Sequence, residues 1–130
     1  MNFVNLTDHP MVLEQVDGSL KTLPPFGTAA RVEMKSIDVG FVRDLDVFLV
    51  EEEYGDVRGL PPSKPDVVYV VSRMVAEHAP HRIDLVFPAH LVRDANDRII
   101  SARALGQVAR PENAAIRAFQ RAWRDSSAHT

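Results

Sequence analysis

The sequence predicts an α+β fold. Its main part is a largely antiparallel, strongly curved sheet or partial barrel, with one short crossing helix and an amphipathic helix at the C-terminal end. Three observations carry this. Val67–Val71 is an unbroken apolar run with four β-branched residues, the composition of a strand covered on both faces, and a short helix signal follows it. Asp17-Gly18 and Asp94–Asp97 each separate two apolar stretches, as hairpin turns do. Pro111–Asp125 carries apolar residues at helical spacing.

Phe3–Asn5 can begin a short strand, and Asn5-Leu6-Thr7-Asp8-His9-Pro10 then gathers polar, turn-forming residues. Val12–Val16 and Leu20–Leu23 flank Asp17-Gly18, which supplies the positive φ a tight turn needs. Pro24-Pro25-Phe26-Gly27 forces a loop. Ala30, Val32 and Met34 alternate with Arg31, Glu33 and Lys35, the period of a half-buried strand. Ile37–Asp44 fits no single template. Asp46–Tyr54 reads as a strand that ends in the acidic run Glu51-Glu52-Glu53, a solvated strand end in preference to a cation site.

Arg58–Asp66, with three prolines and a glycine, is a loop within one domain. Ser72 stands where an N-cap belongs, Arg73–Ala79 reads as two helical turns, and Pro80 stops them. Ile83–Phe87 is strand-like, and Leu91–Arg93 with Arg98–Ala102 make the second hairpin. In the last helix Ile116, Phe119 and Trp123 fall in one narrow arc, with Arg117, Arg121 and Arg124 on the other side. One domain over 1–130 is expected, a sheet-rich body over 1–105 followed by a helix over 111–125.

The chain of 130 residues is 45% hydrophobic and 25% charged, enough for a core and against global disorder. Its net charge of −3 argues against a sequence-independent nucleic-acid binder, and the arginines of the last helix read as solvated charge. With no cysteine, disulfides and thiolate metal sites are excluded. The N-terminus lacks the pattern of a signal peptide and no apolar run approaches a membrane span, so a cytoplasmic protein is expected.

Several motifs, taken together, resemble a family of small uncharacterised proteins of actinobacteria and their phages, whose members begin with an Asn-Leu-Thr-Pro-His stretch. They are Asn5-Leu6-Thr7-x-His9-Pro10, Pro24-Pro25-x-Gly27-x-Ala29-Ala30-Arg31-Val32, Gly59-Leu60-Pro61, Tyr69-Val70-Val71-Ser72 and Arg82-x-Asp84-Leu85-Val86-x-Pro88. The resemblance spans roughly residues 2–103, and this chain departs from it at Asp8, where proline is expected. It implies a phage or prophage origin and no particular activity, cofactor or substrate.

The candidate ligand-binding residues are Asn5, Thr7, His9, Arg31, Ser72 and Arg82, polar groups from distant parts of the chain at strand ends or loop starts. Arginine offers paired donors to an anion, a capped helix start offers backbone N–H groups, and Asp8 beside His9 could tune an imidazole. Each also has a structural reading: Asn5 and Thr7 as turn caps, Ser72 as an N-cap, Arg82 as an ion-pair partner of Asp84 two residues on. No phosphate loop, dinucleotide fingerprint, metal-ligand spacing or complete catalytic constellation is present, so no catalytic residue, metal or cofactor is assigned.

Three functions stay open. The first is a non-enzymatic phage-type protein that binds a small anionic ligand, with sequestration of a nucleotide signal as one form of that role. The second is an interaction protein assembling into a homo-oligomer through its C-terminal helix. The third is a small enzyme using His9.

Overall fold

The structure, a computed structural model, describes residues 1–109. The elements in chain order are β1 (Asn2–Asn5), β2 (Met11–Glu14), β3 (Leu20–Leu23), β4 (Arg31–Val42), β5 (Val47–Arg58), β6 (Val67–Val70), α1 (Arg73–His78), β7 (Leu85–Arg93) and β8 (Ile99–Gly106). The described residues are 53% strand, so the fold is mostly β, and α1 is the only helix among them. The helix expected over 111–125 lies outside them.

Six strands form one curved, nearly closed sheet in the order β1-β6-β7-β8-β2-β3. Its two ends meet through a parallel bridge between Asn5 and Pro25. The expectation of a mainly antiparallel sheet needs correction here. β1–β6, β6–β7 and β2–β8 are parallel, and within this sheet only β2–β3 and β7–β8 are antiparallel. For β6 and β7 the reason lies in α1. A helix between β6 and β7 returns the chain to the same end of the sheet, which makes the two strands parallel neighbours.

β6 is buried on both faces, as its apolar run requires. Tyr69 and Val71 belong to one buried cluster with Val75, Ala76 and Phe87. Val70 turns the other way and joins Met11 and Val86. Val70 and Val71 are both 0% exposed. Ser72 caps α1 with its side chain, accepting from the Val75 N–H at 3.2 Å, and the helix ends at Ala79 ahead of Pro80.

Both hairpins form where the turn residues stand. At the first, Gly18 takes φ 88° and the Asp17 carboxylate accepts from the Ser19 N–H at 2.9 Å. At the second, the Asp94 carboxylate accepts from the Asn96 and Arg98 N–H groups, and Asp97 takes φ 62°. β7 runs through Pro88 as one strand where two short segments were expected. Gly106 has a packing role: a Cβ there would meet the Phe87 ring at 2.5 Å.

β4 and β5 pair only with each other, as a separate two-stranded arm of twelve residues a side. The alternation over Ala30–Lys35 holds as strand but not as burial. Ala30 is 7% exposed and Met34 56%, because the strand leaves the body as it runs. Glu51–Glu53 lies in the middle of β5, not at a strand end.

Candidate functional site

The Asn5–Pro10 turn is built around one buried amide. Asn5 is 2% exposed. Its Nδ2 donates to the carbonyls of His9 at 3.0 Å and Leu23 at 2.9 Å. Its Oδ1 accepts from the Thr7 N–H at 2.9 Å and the Thr7 hydroxyl at 2.6 Å. Every polar atom of the amide is thereby used, which is what a buried side chain of this kind needs. The same residue bridges β1 to the end of β3, so it both shapes the turn and closes the sheet.

The turn stands at the edge of a cleft of about 600 Å³. Its other walls are the start of β4, the start of α1, and β7 with β8. Thr7, His9, Arg31 and Ser72, four of the six candidates, line it. Most of the lining is apolar, with Met11, Val75, Leu91, Ile99 and Ile100 among it, and the charged groups cluster on the turn, β4 and α1. Ile99 and Ile100 are 54% and 52% exposed, so the cleft offers apolar surface to solvent.

Asn5 and Arg82 do not line this cleft. Arg82 forms a two-pronged pair with Asp84, Nε to Oδ1 and an Nη to Oδ2, each at 2.9 Å, and its guanidinium lies 5.9 Å from the centre of the Tyr69 ring. Both side chains of the pair are largely covered. The Arg82 hydrogen bond, helped by one from Ser63, holds the Asp84 carboxyl below the usual carboxylate range. A shared role of Arg31 and Arg82 on one ligand therefore does not follow from their positions.

Two charged residues outside the candidate set do line the cleft, Asp8 and Arg73. The Asp8 carboxylate meets His9 Nδ1 at 3.0 Å and an Arg31 Nη at 3.3 Å, all three side chains being well exposed. The His9 hydrogen bond, then its own backbone and the Arg31 charge, hold the Asp8 carboxyl below its ordinary range. Arg73 donates to Glu77 at 3.2 Å and sits 5.3 Å from the centre of the Phe87 ring. The position of Arg73, one residue past the N-cap on the first turn, was a usable signal for it. The apolar lining had none, because it comes from strands far apart in sequence.

Ser72 contributes less to an anion than its N-cap place suggests. Its oxygen already accepts from Val75, and α1 has six residues, too few for a substantial helix dipole. Among the described residues there is no cluster of three or more His, Asp or Glu side chains able to hold a metal, and no helix is long and apolar enough to cross a membrane. No family model, curated protein or solved structure matches this chain.

Proposed function

We propose that the protein is a non-enzymatic binding protein that holds a small anion with an apolar or aromatic body, nucleotides being one such class. The observation that carries this reading is the shared cleft. Thr7, His9, Arg31 and Ser72 come from three separate stretches of chain and border one concave, mainly apolar surface. Such a surface with a few polar groups at one end suits a ligand whose flat or greasy part is buried and whose charge stays at the mouth. Arg31 and Arg73 supply the positive charge, and both are exposed enough to re-aim from their carboxylate partners. Sequestration of a nucleotide signal in a phage setting is one form of this role.

The test is a melting-temperature panel of nucleotides, cyclic and ADP-ribose-type molecules included, beside aryl and alkyl carboxylates. A ligand at one hundred times its dissociation constant stabilises the fold by about 2.7 kcal/mol. Arg31→Ala and Arg73→Ala are expected to remove that gain while leaving the unliganded melting temperature close to wild type. A panel that shifts nothing speaks against the site.

A second reading, an interaction protein forming homo-oligomers, is favoured by a separate observation. The β4–β5 arm carries exposed apolar side chains and two unpaired strand edges, which invite pairing with another chain. Light scattering across a concentration series reports it directly.

A further inference from the structure

A two-stranded hairpin is marginal in water without something packed on it. The β4–β5 arm has that difficulty in strong form, since Phe41, Phe48 and Val50 are 49%, 69% and 41% exposed. The register shows how these side chains are distributed. Phe41 pairs with Phe48, Asp38 with Val50 and Met34 with Tyr54, with irregularities at Val32/Met34 and at Asp38/Gly40. Opposed residues share a face, so Met34, Tyr54, Val50, Phe41 and Phe48 lie on one side of the arm, with Ser36, Glu52 and Asp38 among them. The Phe41 and Phe48 rings meet edge to face at 5.4 Å, as that assignment requires. Val32 and Val57, at the root of the same face, pack against the main buried cluster. The face is thus an outward extension of the core.

The described chain ends one residue after Val108. Val108 packs against the same cluster as Val32 and Val57. Beyond it come residues 110–130, with the arc of Ile116, Phe119 and Trp123 that the sequence predicts. Length and charge both match. A helix over the fifteen residues 111–125 would be about 22 Å long, and the seven steps from Met34 to Phe41 span about 23 Å. The arm over 31–58 holds eight acidic and four basic residues, a net charge of −4, whereas 110–130 holds four arginines and two acidic residues, a net charge of +2.

We propose that residues 110–130 of the same chain seat their apolar arc on the Phe41/Phe48/Val50 face of the arm. The arm is then a docking surface for the chain's own C-terminal segment. This stands apart from the ligand cleft, and neither depends on the other.

Trp123 is the only tryptophan, so its fluorescence reports the docking in the intact protein. Wild-type emission is expected to be blue-shifted and independent of concentration. Phe48→Asp and Val50→Asp should each move it to the wavelength of tryptophan in water. From the other side, the double change Ile116→Asp and Phe119→Asp should speed amide exchange in β4 and β5 by roughly tenfold while β6 keeps its protection. This second variant leaves the arm sequence intact, so it decides the matter should an arm variant disturb the body. Water-like emission from the wild type, or arm exchange unchanged in the double variant, overturns the proposal. Emission that shifts blue only as concentration rises overturns it in favour of a second copy as the occupant.

Discussion

The curved sheet and the β4–β5 arm are built from the same kinds of residue and reach opposite ends of the burial scale. At the end of β6, Val70 and the following Val71 are 0% exposed, while in β5 Leu49 and Phe48 are 53% and 69% exposed. Both stretches are runs of apolar, strand-forming residues. What separates them is the neighbours available. β6 has a strand on each side, α1 on one face and β2 on the other, whereas among the described residues β5 pairs with β4 alone and meets α1 only near Tyr54. Strand formation here follows from local composition, and burial follows from topology.

The comparison is broken most severely by a charge in the centre of the body. Val70→Asp would bury an unpaired carboxylate and is expected to cost several kcal/mol, on the order of a small domain's whole stability. Melting close to wild type would mean that β6 is not core.

Next comes the Arg82–Asp84 pair. Arg82→Ala leaves a largely covered carboxylate without its countercharge, held only by the Ser63 hydrogen bond, at a cost of roughly 3 kcal/mol in a denaturant titration. The pair also has a pH signature. Because Arg82 depresses the folded pKa of Asp84, the stabilisation is present above the ordinary carboxylate range and is lost as pH falls through and below it. Asp84→Asn should therefore be less stable than wild type at neutral pH, with the gap closing in acid. A gap independent of pH would show that the carboxylate charge contributes nothing.

Asn5→Ala tests the closure of the sheet. It removes the Asn5 hydrogen bonds to the His9 and Leu23 carbonyls and from the Thr7 N–H, a loss of roughly 2 kcal/mol. Amide exchange should rise in β1 and β3 before β6 and β7. Uniform loosening would contradict the role given to Asn5.

The smallest effect is expected at the arm. Phe48→Asp should leave the protection of β6 within about 0.5 kcal/mol of wild type, because the arm pairs outside the six-stranded sheet. A larger loss, followed through the exchange of β6 amides, would show that the arm and the body fold as one unit.

Much of the candidate site was legible before the structure. Thr7, His9, Arg31 and Ser72 share a cleft because turn residues and strand ends are where a curved sheet gathers its loops. Arg82 was not separable from them by sequence. The same guanidinium serves an anion or a neighbouring Asp84, and only the fold decides which of the two it meets. The direction of the sheet was misread for a related reason. Hairpin turns declare antiparallel neighbours locally, but the parallel pairing of β1 with β6 joins residues sixty-five positions apart, Asn2 with Val67, and leaves no local mark.

The sequence by itself determined the local structure. Asp17-Gly18 and Asp94–Asp97 set two turns through backbone conformation and short-range hydrogen bonds, Ser72 capped α1, and the unbroken apolar run of β6 required cover on both faces. These depend on forces acting within a few residues. Tertiary structure alone decided that Met34 and Phe48 stand on an arm outside the buried clusters while Val70 lies within one, and that Asn5 closes the sheet on Leu23 and Pro25. Burial and long-range pairing are properties of the whole arrangement of strands, and an apolar residue carries no record of which partner the topology will bring to it.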